Sequence, residues 1–364
     1  MPGLFIGLMS GTSLDGVDAV LADLDASKFN VVSHVHQPIT AELHAELLAL
    51  NRPCGTDELR RAALASNALA RAYAAAAGAL LNERGMPAGT VQAIGCHGQT
   101  VRHQPGDGYT VQLVNGALLA ELTGINVVCD FRSRDIAAGG QGAPLVPAFH
   151  QAVFASRTRH RVIVNIGGIA NLTALPPTGA ITGFDCGPGN LLLDAWAQRH
   201  LRQSYDDEGA WACSGQVQPE LLVRLLADGY FHRLPPKSAG REIFNIDWLQ
   251  RQLTGGEKPV DVQATLLELT TRGIAVAITK YCAGAEEIYI CGGGARNTAM
   301  IAQLAQQLAP ARVALTDEMG VDAQHVEALA FAWLAKLMLN NQTGNLPAVT
   351  GACGARVLGA LYRA

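Results

Sequence analysis

The chain has 364 residues, of which 49% are hydrophobic and 16% are charged, and it contains 39 glycines. Globular proteins average about 25% charged residues. A chain this poor in charge can bury enough apolar surface to offset its ordering entropy, which excludes a disordered protein. The formal net charge of -4 provides no basic surface for a phosphodiester backbone, so we expect no nucleic-acid partner. At about 150 residues per domain, the length predicts two domains.

The sequence shows no targeting, membrane-spanning or metal-binding pattern. The opening run MPGLFIGLMSG lacks the positive charges of a signal peptide. No charge-free stretch reaches the roughly 18 apolar residues of a membrane span, so we expect no membrane association. The 8 cysteines form no CxxC pair, and the 10 histidines form no HxxxH or HExxH pattern. We therefore expect a cytoplasmic protein with reduced thiols.

The first half of the chain begins with strands and continues with a long helix. Short apolar runs predict strands over residues 4–9, 17–24, 30–39, 91–96 and 125–129. A polar, glycine-containing turn at 10–16 joins the first two strands into a hairpin. An Ala- and Leu-rich helix is predicted between the cap and first turn at Thr56 to Glu58 and a stop at Gly85.

The second half of the chain repeats this layout. Strands are predicted over 161–165, 170–175, 287–291 and 312–315, and helices over 261–281 and 297–308. Gly167 and Gly168 form the turn between the first two of these strands, as in the opening hairpin, which indicates a structural duplication. Strands that alternate with helices of this length predict parallel, helix-covered sheets in two lobes that enclose a cleft.

Glycine-containing turns are the candidates for binding a nucleotide. In the first turn, residues 11–18, backbone N–H groups and nearby hydroxyls could hold phosphate oxygens without a cationic side chain. The turn is not a Walker A loop, because no Gly-Lys-Ser/Thr follows it. A tight structural hairpin is the alternative interpretation of this turn taken alone.

Two further turns favour the nucleotide interpretation because they occur together with the first. Residues 167–171 would grip a phosphate chain from the second lobe, while the first turn grips it from the opposite side. Residues 292–294 follow a buried strand, where ligands bind in open parallel sheets and where glycines let a nucleobase or ribose lie against the backbone. Each turn alone is more often structural, and only the combination is specific.

Asp185 is the candidate general base. It lies on the glycine-lined segment 183–190, between a predicted strand and a helix that begins near Leu191. A carboxylate held rigidly at a strand end could reach a substrate, as a general base requires. The alternative is that Asp185 caps the helix or the turn, and the pattern leaves both interpretations open.

Polar residues after two strands of the first half are candidates for binding a sugar. His97, Gln99 and Thr100 could form hydrogen bonds with hydroxyl groups, and Arg132 could hold a carboxylate through two parallel hydrogen bonds. The alternative is that the arginines of segment 130–135 form surface ion pairs with its aspartates.

These motifs together, in chain order, resemble the anhydro-N-acetylmuramic acid kinase family. The resemblance runs through 7–18 (GLMSGTSLDGVD), 95–100 (GCHGQT), 137–147 (AAGGQGAPLVP), 165–171 (NIGGIAN), 184–190 (FDCGPGN), 236–242 (PKSAGRE), 291–297 (CGGGARN) and 327–333 (EALAFAW). It covers essentially the whole chain. Cys96 and Cys186 are small departures from the family pattern, in which Ser and Thr are also common at these two positions.

The resemblance implies an α/β, two-lobed fold of the actin, Hsp70 and sugar-kinase (ASKHA) superfamily, with duplicated ribonuclease-H-like domains around a nucleotide cleft. The N-terminal lobe would comprise residues 1–135 plus about 345–364, and the C-terminal lobe residues 136–344. The implied cofactors are ATP and Mg²⁺, and the implied assembly is a homodimer. The family's reaction opens the 1,6-anhydro ring of N-acetylmuramic acid with water and phosphorylates O6, during recycling of the bacterial cell wall.

The resemblance also implies roles for individual residues. The cofactor-binding residues would be Gly11, Thr12, Ser13, Leu14, Asp15, Gly16, Val17, Asp18, Gly167, Gly168, Asn171, Gly292, Gly293 and Gly294. Asp185 would be the catalytic base. The sugar would contact His97, Gln99, Thr100, Arg132 and Glu327.

The metal ligands stay open. Superfamily members often carry an Asp early in the first strand for hydrated Mg²⁺, where this chain reads Gly-Leu-Met-Ser, so Asp15 or Asp18 would have to substitute.

Two other functions remain alternatives: a kinase for an ordinary amino sugar or carboxylate, and an ATP-gated binding protein akin to Hsp70. The second is disfavoured because residues 340–364 leave no room for a separate peptide-binding domain.

Overall fold

The computed structural model describes residues 3–11, 14, 16–25, 29–53 and 55–364. Backbone proximity divides the chain into unit 1 (Met1–Phe149 and His325–Ala364) and unit 2 (His150–Gln324). The strands are β1 (Leu4–Met9), β2 (Gly16–Asp23), β3 (Asn30–Pro38), β4 (Ala93–Cys96), β5 (Gln99–Gln104), β6 (Tyr109–Leu113), β7 (Val127–Cys129), β8 (Arg161–Ile166), β9 (Ile169–Leu175), β10 (Thr182–Pro188), β11 (Glu287–Cys291), β12 (Arg312–Leu315) and β13 (Ala360–Tyr362).

Helices occupy several of the connections between these strands. They are α1 (Ala41–Leu50), α2 (Glu58–Arg84), α3 (Gly116–Thr123), α4 (Ser133–Ala137), α5 (Val146–Phe154), α6 (Leu191–Leu201), α7 (Ala210–Cys213), α8 (Pro219–Leu226), α9 (Gly229–His232), α10 (Ile246–Gln252), α11 (Pro259–Tyr281), α12 (Thr298–Gln307), α13 (Val326–Leu339) and α14 (Pro347–Thr350). In the part of the chain that the structure describes, no helix combines the length and apolar character of a membrane span.

The first five strands of the unit 1 sheet have the same order as the five strands of the unit 2 sheet, which confirms the predicted duplication and the α/β fold class. The order in unit 1 is β3-β2-β1-β4-β7-β13, and the order in unit 2 is β10-β9-β8-β11-β12. Unit 1 carries the additional strand β13 at the end of its sheet. In each unit the first three strands are antiparallel neighbours, and the next two run parallel to the first. The first hairpin turn of unit 1 therefore corresponds to the turn at Gly167 and Gly168 in unit 2.

The expectation of parallel sheets is wrong for the first three strands of each unit. Those strands are joined by short turns, which permit only antiparallel pairing, whereas the parallel strands follow helical crossovers. The predicted strands and helices are otherwise confirmed to within a few residues, and Gly85 ends α2 in a left-handed conformation with φ 61°. Asp57, predicted as part of the cap, is the N-cap residue of α2, but its φ is 52° and its side chain makes no capping hydrogen bond. The hairpin β5–β6 was not predicted.

The unit 1 sheet packs on helices through both of its faces. Leu4, Ile6 and Leu8 alternate along β1 and join the apolar core that contains Leu69 and Tyr73 of α2. Gly7 lies on the other face of β1, against α13. A Cβ at Gly7 would lie 1.8 Å from the Ala328 carbonyl oxygen, so only glycine lets α13 approach the strand.

Gly95 repeats this contact on the neighbouring strand. It is in register with Gly7, and its Cβ would lie 1.9 Å from the Phe331 carbonyl oxygen of α13. This packing places α13 in unit 1. Backbone proximity therefore places the boundaries between the two units at 149/150 and 324/325, whereas the sequence-based division placed them at 135/136 and about 344/345.

In unit 2, α11 is the central helix. It is buried along most of its length, and it packs on β9 and β10 and on the helices α6, α7, α8 and α12. The strand β10, which carries Asp185, forms the end of this sheet next to β9.

Candidate functional site

A row of polar residues crosses unit 2 on one face of its sheet. Asn165 of β8 is in register with Asn171 of β9, and Asn171 is in register with Asp185 of β10. Residues directly opposite each other in antiparallel strands project from the same face. The Asn165 side chain is 5% exposed, and its Oδ1 has no hydrogen-bond partner among the described residues. A buried polar atom of this kind needs a partner, which a bound ligand can supply.

Asp185 lies within β10 rather than on the loop after it, which corrects the predicted placement. A register shift between Asp185 and Gly187 bulges the strand there, and bulges of this kind re-aim side chains near active sites. The carboxylate is half-buried, and its Oδ2 accepts a 2.9 Å hydrogen bond from the Ala239 N–H. The helix-cap alternative is wrong, because Asn190 is the N-cap residue of α6.

The turn at Gly167 and Gly168 is anchored to the start of α6 through its carbonyl groups. The Gly168 carbonyl accepts hydrogen bonds from the N–H groups of Gly189 at 2.9 Å and Leu191 at 3.1 Å, and the Gly167 carbonyl accepts one from Asn190 at 2.8 Å. A Cβ at Gly167 would meet only the Ile169 carbonyl oxygen, at 3.7 Å. The turn is therefore rigid, and one side of Gly167 is open to a ligand.

Two of the glycines after β11 allow close packing of the backbone, and one leaves space for a ligand. Gly292 has a φ of 80°, and its Cβ would lie 2.2 Å from the Asn165 Oδ1. A Cβ at Gly294 would lie 2.4 Å from the Ile166 Cγ2, whereas one at Gly293 would meet only the Asn190 Nδ2, at 3.5 Å. Packing against β8 thus explains two of these glycines, and Gly293 is the one that leaves room for a ligand.

The first hairpin turn is described in part. Thr12, Ser13 and Asp15, which the sequence analysis assigned to phosphate binding, lie outside the described residues. The Leu14 N–H donates to the Gly11 carbonyl at 3.3 Å, and the Leu14 side chain, at φ 59°, joins the apolar core of unit 1. Leu14 can therefore offer a ligand only its backbone.

The remaining residues of this segment begin β2. Gly16 is in register with Pro38 of β3, and Val17 is buried in the core. The Asp18 carboxylate is about half exposed and lies 2.8 Å from the His36 Nδ1. No group of three or more His, Cys, Asp and Glu side chains suited to a metal is present among the described residues.

His97 and Arg132, predicted independently as sugar-binding residues, are in direct contact. The Arg132 guanidinium donates to the His97 Nε2 from Nη2 at 2.9 Å and from Nε at 3.3 Å, and its Nη1 donates to the Gly142 carbonyl at 2.7 Å. Burial, together with the Arg132 charge, lowers the pKa of His97 to about 3. His97 is therefore neutral at physiological pH, and the Arg132 donors assign its proton to Nδ1.

The other predicted sugar-binding residues lie nearby in unit 1. The His97 ring packs on Phe331 at 4.7 Å between centroids, and Glu327 lies one helical turn before Phe331 on α13. Gln99 and Thr100 begin β5. The buried Gln99 Oε1 has no partner among the described residues, and the Thr100 Oγ1 accepts from Gln112 at 3.1 Å.

Asp135 is a structural residue that the sequence analysis missed. It was considered only as a surface ion-pair partner, but its side chain is fully buried. Its Oδ1 accepts from the Asn345 Nδ2 at 2.6 Å and the Thr350 Oγ1 at 2.7 Å, and its Oδ2 accepts from the Gly142 N–H at 2.8 Å. Asp135 thus holds the loop whose Gly142 carbonyl accepts from Arg132. The glycine-rich run 139–142 that follows it is the signal that could have found it.

Replacing this buried carboxylate should destabilise unit 1. In Asp135→Asn an amide NH₂ group faces hydrogen-bond donors, so we expect the free energy of unfolding to fall by about 1–3 kcal/mol. Urea titration of the variant and the parent protein measures the difference. Asp130→Asn is the matched control: Asp130 is exposed, an amide oxygen can still accept from Ser133, and its expected change is within about 0.5 kcal/mol. Equal losses in both variants would contradict the role of Asp135.

Comparisons with known proteins identify relatives along the whole chain. The family model described as anhydro-N-acetylmuramic acid kinase matches residues 3–364. The anhydro-N-acetylmuramic acid kinase of Nitrosospira multiformis is 58% identical over 362 residues, covering 99% of each chain. That of Nitrosomonas europaea is 55% identical over 362 residues, again covering 99% of each chain. Among solved structures, Acidaminococcus fermentans (R)-2-hydroxyglutaryl-CoA dehydratase component A aligns with a TM-score of 0.49 at 13% identity, over 91% of this chain and 96% of that one.

Proposed function

The chain belongs to the anhydro-N-acetylmuramic acid kinase family, and from this premise we propose the roles of its site residues. The enzyme is a phosphotransferase that uses ATP to convert anhydro-N-acetylmuramic acid to N-acetylmuramic acid 6-phosphate in peptidoglycan recycling. Water adds to C1, the bond between C1 and O6 breaks, and O6 takes the γ-phosphoryl group of ATP while ADP leaves.

We propose Asp185 as the general base that removes a proton from the attacking water. The observation that carries this role is the carboxylate at the β10 bulge, half-buried and oriented by the Ala239 N–H at 2.9 Å. A general base must be held in one orientation while one of its oxygens reaches the reacting proton. The neutral His97, with its pKa near 3, is a poor proton acceptor and fits a role in binding the sugar instead.

We propose that the two glycine-containing hairpin turns bind the phosphates of ATP. The rigid turn at Gly167 and Gly168, the open side of Gly167 and the space at Gly293 support this assignment. Phosphoryl transfer depends mainly on positioning and on neutralising the charge of the equatorial oxygens. Backbone N–H groups of glycine turns can provide both without a P-loop lysine.

We propose that ATP is bound as its Mg²⁺ complex. Mg²⁺ keeps several waters and needs only one or two carboxylates besides the phosphates. Asp18, half exposed at the start of β2, fits this requirement, and Asp15 lies outside the described residues. When bound, the ion neutralises phosphate charge.

The homodimer stays a prediction, and so does the cytoplasmic location. The free thiols of the seven cysteines in the described ranges support the cytoplasmic location.

Reaction in ¹⁸O-labelled water tests the hydrolytic ring opening. We expect the label at C1 of the sugar product, because water supplies the new C1 oxygen. Mass spectrometry after immediate borohydride reduction measures it, since reduction stops exchange through the open-chain aldehyde. Product made in ordinary water and held in labelled water for the same time is the control. Unlabelled C1 would instead support the alternative, an amino-sugar kinase that deprotonates a substrate hydroxyl group.

A further inference from the structure

The backbone of Asp185 is held from outside the sheet. β10 is at the end of the unit 2 sheet, so one side of it lacks a neighbouring strand among the described residues. The Asp185 N–H donates to the Lys237 carbonyl at 3.1 Å, and the Asp185 carbonyl accepts from the Tyr230 hydroxyl at 2.7 Å. In an antiparallel pair, the N–H and C=O of one residue point to the same side. Both groups of Asp185 therefore point outward, toward segment 230–239.

The same segment holds the Asp185 side chain. The Ala239 N–H donates to the carboxylate Oδ2 at 2.9 Å. Tyr230, Lys237 and Ala239 thus bind the carbonyl, the N–H and the carboxylate of one residue. The contacts fall where the bulge interrupts regular pairing with β9, so the ladder alone does not fix the direction of this side chain.

Tyr230 is itself rigidly placed. Its side chain is 1% exposed and packs edge-on against Phe244, with ring centroids 5.3 Å apart. The Asp228 Oδ1 accepts from the Tyr230 N–H at 2.8 Å, and the Lys237 ammonium lies 4.6 Å from the ring centroid. Burial, and secondarily the Asp185 charge, raises the pKa of the Tyr230 hydroxyl, so it stays protonated as a donor.

We propose that Tyr230, Lys237 and Ala239 form an edge clamp that positions Asp185 for proton abstraction, with Tyr230 as its central positioning residue. The clamp rests on the proposed role of Asp185 as the base. Tyr230 acts through the backbone of Asp185 and has no contact with the reacting atoms in this role. Without the hydrogen bond from the Tyr230 hydroxyl, the bulge at Asp185 relaxes. A displacement of about 1 Å at a reacting group can cost 100-fold in rate.

Tyr230→Phe removes the hydroxyl that donates to the Asp185 carbonyl and keeps the ring. We expect kcat to fall about tenfold, with the KM values for ATP and for anhydro-N-acetylmuramic acid unchanged within about twofold, because a misplaced base affects the chemical step more than binding. Steady-state kinetics measures both. Tyr281→Phe is the matched control: the Tyr281 hydroxyl is buried in the same unit and has no partner among the described residues. Its kcat should equal that of the parent enzyme.

The double variant Asp185→Asn/Tyr230→Phe separates the clamp from the role of the base. With the base already removed, the second change should lower the residual turnover no further. A Tyr230→Phe enzyme with the kcat of Tyr281→Phe would overturn the clamp while leaving the base intact. Full turnover in Asp185→Asn alone would instead overturn the proposed base, whatever Tyr230→Phe does.

Ala239→Pro keeps the proposal testable if Tyr230→Phe fails to fold. Proline has no N–H to donate to the Asp185 Oδ2, whereas the control Ala239→Gly keeps that donor. We expect Ala239→Pro to lower kcat at least fivefold relative to Ala239→Gly, with both proteins binding ATP equally. Equal kcat values in the two variants would overturn the clamp.

Discussion

Asp185→Asn should fold and bind ATP like the parent enzyme, yet lose turnover by two or more orders of magnitude. The amide has nearly the shape of the carboxylate, and its oxygen can still accept from the Ala239 N–H. It cannot accept the proton of the attacking water, and a lost general base typically costs about 100- to 10,000-fold. ADP formation, followed with a coupled enzyme assay, measures turnover, and calorimetric titration measures ATP affinity.

Asp247→Asn is the control for this prediction. Asp247 is an exposed carboxylate in the first turn of α10, in the same unit, and its replacement should leave turnover unchanged. Near-normal turnover in Asp185→Asn would return Asp185 to a purely structural role at the bulge. An equal loss of ATP affinity and turnover would show that the change disturbs nucleotide binding rather than proton transfer.

Arg132→Ala should reduce kcat/KM for anhydro-N-acetylmuramic acid by about 10- to 100-fold. The guanidinium is half-buried and already directed by the Gly142 carbonyl and the His97 ring, so it is preorganised to meet the lactyl carboxylate of the sugar. A hydrogen bond to a charged group contributes about 1.5–3 kcal/mol, and each 1.4 kcal/mol corresponds to a factor of ten. The measurement compares this sugar with anhydro-N-acetylglucosamine, which lacks the lactyl group.

The comparison between the two sugars is decisive for Arg132. If Arg132 binds the carboxylate, the variant loses its preference for the muramic sugar and changes little toward the glucosamine analogue. Equal losses on both sugars would refute carboxylate binding and leave Arg132 as a support for His97. Arg134→Ala is the matched control, because Arg134 is exposed on the short helix α4, which begins directly after Arg132, and should change neither value.

Much of the candidate site could be predicted from local sequence patterns. Short apolar runs and the turn residues between them identified β1 and β2, and β8 and β9, and the same layout in both halves indicated the duplication. These signals are local because a hairpin is encoded by residues within a few positions of each other. The motif order along the chain likewise predicted the family and proposed Asp185 as the base.

Such local patterns could not predict contacts between residues that are distant in the sequence. The partners of Asp185 are 45 to 54 positions away, at Tyr230 and Ala239, and Arg132 meets His97 across 35 positions. Asp135, interpreted from its neighbours as a surface residue, is buried by partners more than 200 positions distant. No periodicity or short motif carries such pairings, because they depend on how whole elements pack.

The abundant glycines show where the two kinds of information divide. The sequence alone determined that glycines cluster beside strands, which located the hairpin turns and led to the family. The tertiary structure decided what each glycine does: Gly7 and Gly95 admit the backbone of α13, and Gly292 accommodates Asn165, whereas Gly167 and Gly293 leave room for a ligand. A missing side chain permits close approach by helix, strand or ligand equally, and only the packed neighbours determine which of them approaches.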